Sequence, residues 1–434
     1  MSFKDKIVKC QQLFREQVVL NSKLKWYRRT VFAGSIIWAV ALIVQSVPYY
    51  NAIGKGESAY KAGNYKDAEK QFGIALSQCK LYSSTDLRRA KALNNLAELY
   101  RTEGRYSEAE PLYQDTVKIA AQLGQRREEY PLSIYNLASF YRDVGRYKES
   151  EIQFNKALKL WDTNIGKPDD IKRATILGGL GKLYRDQGKY EEAESLYKQA
   201  LTIKQKTLGS NDLEIAALLD NLGSLYRDES RYSESEKMYA RALLIDQTGL
   251  GQNHPYVAND KNNLAGLYRD MHRLPEAEVL YQEALSIRKG ALGGTHPLIA
   301  KTLTGLAELR REQGEPQEAE KLLSQAIAIQ TKSLGAQHPD LATTYDVLGL
   351  LYLSEHKYTQ SQSALDRALQ IRTASLSPNH PDIANLYLHR ARLQMALGDV
   401  SGAKKSLQNS LDIFASSGHA IPDQAVAIKK ELFI

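Results

Sequence analysis

The sequence predicts an all-α protein: an α-solenoid of about nine helix-turn-helix repeats preceded by a single transmembrane helix. An element of the form Leu-Tyr-Arg returns along the chain at a nearly constant spacing of 42 residues. Each copy stands among apolar residues stepped by three and four, interrupted by Gly-containing breaks, which gives two helices per unit. Residues 31–47, VFAGSIIWAVALIVQSV, carry no charge at all. The composition agrees: of 434 residues 43 % are hydrophobic and 25 % charged, ordinary globular values that exclude disorder, collagen and a many-span membrane protein. Cys10 and Cys79 are the only cysteines, which excludes a disulfide scaffold.

The N-terminal region reads separately. Residues 1–30 hold eight Lys and Arg against Asp5 and Glu16, so most of the net charge of +8 lies there. A nucleic-acid partner is therefore not expected from the basic balance alone. Phe3, Ile7, Cys10, Phe14 and Val18 recur at helical steps. The segment is either an amphipathic helix lying on an anionic leaflet or against a partner helix, or a short solvated helix leading into the span. As a helix, residues 31–47 rise roughly 26 Å, close to the ~30 Å hydrocarbon core. Trp26, Tyr27, Tyr49 and Tyr50 flank them as interface aromatics. A cleaved signal peptide is disfavoured by the long leading region and by the absence of a small-x-small site nearby. The excess of Lys and Arg before the span predicts a single-pass membrane protein, with a cytoplasmic N-terminus and extracytoplasmic repeats, periplasmic in a bacterium. Residues 48–55 read as a linker.

The repeat can be followed copy by copy: Leu99-Tyr100-Arg101, Phe140-Tyr141-Arg142, Leu183-Tyr184-Arg185, Leu225-Tyr226-Arg227, Leu267-Tyr268-Arg269, Leu309-Arg310-Arg311, Leu351-Tyr352-Leu353 and Leu393-Gln394. A degenerate copy, Tyr60 to Tyr65, stands in front, so both ends are atypical, as solenoid caps are. In the unit around Tyr226, Leu218, Leu219, Leu222 and Leu225 form the stripe of a first helix, here called helix A. Ser230-Arg231-Tyr232 breaks it where sister copies have Gly104-Arg105-Tyr106 and Gly188-Lys189-Tyr190, a position suited to a left-handed helix end. Helix B follows. Ala109, Ser150, Ala193, Ser235, Ala277 and Ala319 fall nine positions after the recurrent aromatic or its equivalent, letting the two helices approach closely. Tyr113, Tyr197, Tyr239 and Tyr281 fill the space beside them, which makes much of the tyrosine excess packing rather than chemistry. Between units stand Leu250 to Pro255, Leu292 to Pro297, Leu334 to Pro339 and a looser Leu376 to Pro381. Their glycines end helix B and their prolines open the next helix A.

These motifs resemble tetratricopeptide repeats of the kinesin-light-chain type, on Leu264-Ala265-Gly266-Leu267-Tyr268, on Gly188-Lys189-Tyr190-Glu191-Glu192-Ala193-Glu194 and on Leu292 to Pro297. The resemblance covers residues 56–434 and implies a right-handed α-solenoid over 56–416, closed by a C-terminal capping helix in 417–434. It does not extend to the coiled coil that precedes the repeats in kinesin light chains. It also implies that helix A lines the inner, concave face.

On that face Arg101, Arg142, Arg185, Arg227, Arg269 and Arg311 form a ladder, four of them followed by Asp. The ladder either grips the carboxylates or carbonyls of a threaded peptide, or braces successive repeats through Arg–Asp pairs. As partner contacts we single out Arg142, Arg185, Arg227 and Arg269, with Asn262 and Asp220 nearby. Asn95, Asn136, Asn221 and Asn263 read as backbone-bonding spacers between repeats. His254, His296, His338 and His380 recur in successive turns and cannot converge on one zinc ion; each precedes a proline and reads as a cap of helix A. No P-loop, dinucleotide fingerprint, nucleophile elbow or HExxH occurs, so no enzyme, cofactor or metal is expected.

Two functions follow. In one, an anchored scaffold or adaptor captures a peptide or partner protein in its concave face. In the other, the chain is a structural subunit or assembly factor of a larger membrane complex, held through its convex face and anchor. A structural subunit should expose an apolar patch of several hundred Å² on its outside.

Overall fold

The computed structural model describes residues 47–79, 86–124, 126–166, 168–419 and 421–433. Every regular element among them is helical. Helix α1 covers 47–61 and pairs with α2 (Tyr65–Gln78). Seven further pairs follow: α3 (Leu87–Thr102) with α4 (Tyr106–Leu123), α5 (Glu129–Asp143) with α6 (Tyr147–Leu160), α7 (Ile171–Asp186) with α8 (Tyr190–Leu208), α9 (Leu213–Asp228) with α10 (Tyr232–Leu250), α11 (Pro255–Asp270) with α12 (Leu274–Leu292), α13 (Pro297–Glu312) with α14 (Pro316–Leu334), and α15 (Pro339–Ser354) with α16 (Tyr358–Ser375). The ninth pair is α17 (Pro381–Ala396) with α18 (Val400–Ser417), and α19 (Asp423–Phe433) packs on it as a cap.

Two expectations about the N-terminal side are corrected. Residues 48–55 are not a linker but part of α1, where Tyr49 is only 1 % exposed. Its ring packs with Ala52, Ile53, Phe72 and Leu96, and its hydroxyl donates to the Arg88 carbonyl at 2.9 Å. Gly56 lies in the same helix and lets the Phe72 ring pack against it, where a Cβ would stand 2.5 Å from that ring. Tyr49 is thus a core residue rather than a membrane-interface aromatic. The single-pass placement with extracytoplasmic repeats is also overturned: among the described residues no helix is long and apolar enough to cross a membrane. Residues 31–46 of the expected anchor, and the basic segment 1–30, lie outside the described residues.

Local chemistry explains the helix ends. Asp86, Asp170 and Asp212 cap α3, α7 and α9 by accepting the backbone N–H two residues on. His254, His296, His338 and His380 do the same for α11, α13, α15 and α17 through Nδ1, each followed by a first-turn proline. Between the two helices of a pair the chain passes through a left-handed residue, Gly104 and Gly188 among others, with Ser230, His272 and His356 in the same conformation. The small residues of helix B are fully buried, Ala193 and Ala277 included. Where that residue is serine its hydroxyl binds helix A, as in Ser235 Oγ to the Gly223 carbonyl at 2.7 Å.

The pairs wind into a coil whose second turn touches its first. His338 Nε2 lies 2.8 Å from the Thr102 carbonyl, 236 residues away. Ser377 donates its backbone N–H to the Val144 carbonyl at 3.0 Å. The rings of His296 and His380 lie over Gly63 and Gly145. Repeats seven, eight and nine therefore stack on repeats one, two and three.

Candidate functional site

The concave face is a groove lined by the A helices. A cavity of about 560 Å³ spans α3, α5, α7 and α9, and every lining residue except Lys204 comes from those four helices. Asn94, Tyr135, Asn136, Ser139, Lys182 and Asn221 are among its walls, and Gly179 lets the rings of Tyr135 and Phe154 approach its backbone closely. A second cavity of about 500 Å³ lies further along, with Arg227, Asn262, Asn263, Arg269 and Lys301. Lys182 stands beside Arg142, and that repulsion first, burial second, pushes its amine down to about 8. The Ser139 hydroxyl is buried at the first cavity and has no hydrogen-bond partner among the described residues.

The arginine ladder runs along this face as a chain of inter-repeat ion pairs. Arg101 Nη1 meets Asp143 at 2.5 Å, Arg185 Nε meets Asp228 at 2.8 Å and Arg227 Nε meets Asp270 at 2.6 Å, each acid lying one repeat ahead. Arg142 lies between Asp143, at 2.5 Å, and Asp186, at 3.5 Å. Arg269 departs from the pattern by turning to Glu308 and Glu312. Burial would raise the Asp143 carboxyl, yet Arg142 and Arg101 hold it below its ordinary value. All five arginines line a cavity as well, Arg101 and Arg142 the first, Arg227 and Arg269 the second, and Arg185 a third at the seam between coil turns. The same side chains brace the repeats and face the groove.

The other two selected residues differ in kind. Asn262 lines the second cavity and accepts from Arg288 at 3.5 Å. Asp220 is half-buried beside the buried Asp246 and Asp260, which makes a group of three carboxyls. Burial, then the Asp220 charge, pushes Asp260 up to about 9, and burial pushes Asp220 up to about 6. Burial and the neighbouring Asp220 and Asp246 carboxylates thus all favour the protonated form of Asp260. Among the asparagines, Asn95 binds Glu57 at 3.3 Å and Asn136 binds Asn94 at 2.7 Å. Their partners are side chains of the preceding repeat, not the backbone, and Asn136, Asn221 and Asn263 face the cavities.

Two recurring polar devices went unread in the sequence. The recurrent tyrosine reaches back to a glutamate of the preceding helix B, as Tyr100 to Glu69 at 2.8 Å, Tyr226 to Glu194 at 2.8 Å and Tyr268 to Glu236 at 2.7 Å. Arg105, Arg231 and Arg273 stack on the same rings. Near the end of helix B, Lys204, Arg288, Gln330 and Arg372 donate to the first turn of the next helix A, Arg288 to the Leu298 carbonyl at 2.8 Å and Arg372 to the Asp382 carbonyl at 2.9 Å. Asp246 holds that position in the fifth repeat, where it meets Asp260 instead. The 42-residue spacing of positions 204, 246, 288, 330 and 372 was a sufficient signal for this series.

The tetratricopeptide repeat family model matches residues 49–122, 130–206, 214–290, 261–332, 298–358 and 340–416. Among solved structures, a Rap protein complexed with Competence and Sporulation Factor aligns with a TM-score of 0.56 at 13 % identity, over 85 % of this chain and 99 % of that one. The quorum sensor NprR from B. thuringiensis, in its apo form, gives 0.52 at 18 % identity over 74 % of this chain and 87 % of that one. Kinesin-light-chain-type TPR-like repeats from Podosopora anserina are 25 % identical over 47 % of this chain and 97 % of that one, with a TM-score of 0.38. No curated protein matches the chain. With matches in every repeat from the first helix pair to the last, the chain belongs to the tetratricopeptide repeat family.

Proposed function

We propose that the chain is a non-catalytic protein-interaction scaffold that takes a peptide, or an extended segment of a partner protein, along its concave face. The observation that carries this reading is the groove cavity running across four repeats, whose walls hold amides, a lysine amine and an unpartnered serine hydroxyl. Such a lining matches the alternating donors and acceptors of a peptide backbone better than it matches an apolar small molecule. Arg142, Arg185, Arg227, Arg269, Asn262 and Asp220 form the proposed contact set. Arg185 and Arg227 brace through Nε, so their Nη groups are free to meet carboxylates or carbonyls of the ligand. The large apolar side chains exposed on the outer helices, Ile152 on α6, Leu244 on α10 and Val279 on α12, come from different repeats and do not favour a convex docking face.

The test is selection of peptides from a displayed random library on the full-length chain, followed by affinity and melting measurements on Arg227→Ala. A ligand contact predicts a loss of about 1–3 kcal/mol in affinity. Unchanged affinity with a lowered melting temperature makes the arginines braces only. Binding insensitive to Arg227→Ala, Asn262→Asp and Lys182→Met together moves the partner off the groove.

A further inference from the structure

The seam between coil turns differs in kind from the contacts between successive repeats. Successive repeats are joined by clusters of buried Leu, Ala, Tyr and Phe, whereas among the described residues no apolar cluster crosses the seam. The seam holds the His338–Thr102 bond, the Ser377–Val144 bond, the rings of His296 and His380 over Gly63 and Gly145, and Tyr147 near His380 and His419. Two cavities, of about 640 and 660 Å³, remain within it. A small, polar, gapped contact between bodies that are each firmly packed opens without unfolding either.

The chemistry of the caps singles out the seam. Asp86, Asp170 and Asp212 cap α3, α7 and α9 in the first turn of the coil, and Asp86 also pairs with the Arg88 side chain of its own helix at 2.7 Å. The three caps that lie at the seam are all histidines. In the neutral tautomer with its proton on Nε2, His338 accepts the Asp340 N–H at Nδ1 and donates to the Thr102 carbonyl at Nε2, so one ring both ends a helix and reaches the preceding turn. His254 caps α11 and lies outside the seam.

We propose that the seam is a gate, held by His296, His338 and His380, whose release separates repeats seven to nine from repeats one to three and opens the groove sideways. Closed, the coil admits ligands along its axis; open, it admits a segment attached to a folded body. This goes beyond the scaffold reading and does not depend on which partner binds.

The gate can be tested in the full-length chain, with Cys10→Ser and Cys79→Ala removing native thiols. The variant His296→Asp/His338→Asp/His380→Asp keeps a capping side chain at each helix and shortens it away from the seam. Spin labels at Lys70 and Lys332, both exposed on repeats one and seven, report the distance across the seam. A cysteine replacing Asn221 in the groove reports access to a small maleimide and to a maleimide on a bulky polymer. The expected result is a narrow distance distribution in the parent and a longer, broader one in the triple variant at unchanged helicity. Bulky labelling should accelerate at least about tenfold, with small-reagent labelling unchanged. A broad distribution in the parent, an unchanged one in the variant, or bulky labelling no faster after separation each overturns the gate. Should the triple variant lose helicity, His338→Asp alone is read by the same distance.

Discussion

Asp246→Gln should stabilise the protein, because the fifth repeat holds an acid where its sisters hold a donor. Gln330, in the equivalent place, donates to the Asp340 carbonyl at 3.3 Å; a glutamine at 246 would reach the Tyr256 carbonyl in the same way. One such bond contributes about 1 kcal/mol. Removing one of the three neighbouring carboxyls relieves Asp260, and a similar ~1 kcal/mol follows from the smaller burden of buried charge. The expected gain is about 2 kcal/mol near neutral pH, or roughly 4–8 °C in melting temperature for a cooperative unit of ~150–250 residues. The pH dependence has a definite sign. Asp220 and Asp260 are pushed up to about 6 and about 9, so the folded chain retains protons that the unfolded chain releases. Their effect on stability is most favourable below the ordinary Asp value and is lost as pH rises through 6 and then 9. The advantage of the glutamine variant should therefore widen from about pH 5 to about pH 9. Thermal unfolding followed by far-ultraviolet circular dichroism at matched ionic strength measures it. A variant that melts no higher than the parent, or whose advantage is flat across that range, refutes the protonated-carboxyl account.

Three further outcomes are expected. Ala193→Leu should cost about 1–3 kcal/mol in chemical denaturation, because Ala193 is fully buried where α8 meets α7, while Glu192→Leu beside it on the exposed face should stay within about 0.5 kcal/mol. Tyr226→Phe removes the 2.8 Å bond to Glu194 and keeps the ring under Arg231, so a loss of about 1 kcal/mol in the same assay is expected. Acid should loosen the seam first: burial lowers His380 and lowers His419 to about 4, against the opposing pull of Asp382 on both. Their contribution is present above the ordinary histidine value near ~6.5 and lost as pH falls towards 4, so the label distance across the seam should lengthen before helicity drops.

The repeat architecture was legible because each unit carries its own local signals. A proline after a histidine marks the start of helix A, a glycine marks a left-handed turn, and a small residue marks the close approach of two helices. The first helix was misread because its repeat is degenerate: residues 48–55 read as a linker, and Tyr49 beside an apolar run read as a membrane flank. Of the candidate site, the face was legible from the spacing of the arginines. The spacing left bracing and groove contact as alternatives; that one side chain such as Arg227 both pairs with Asp270 and borders a cavity follows only from the stacking of the repeats. Closure of the coil had no local signature, for it depends on a small rotation per repeat summed over six repeats.

That closure makes repeat number a constrained quantity in this molecule. An open solenoid tolerates the gain or loss of a unit, because each unit touches only its neighbours. Here loss of one repeat between the third and the seventh would bring the His338 turn over Gly63 instead of Gly104, and the His380 turn over Gly104 instead of Gly145. Val144 and Tyr147 would then lose the partners they now have in Ser377 and His380. Duplication and deletion, the ordinary currency of repeat evolution, are thus penalised between the third repeat and the seventh.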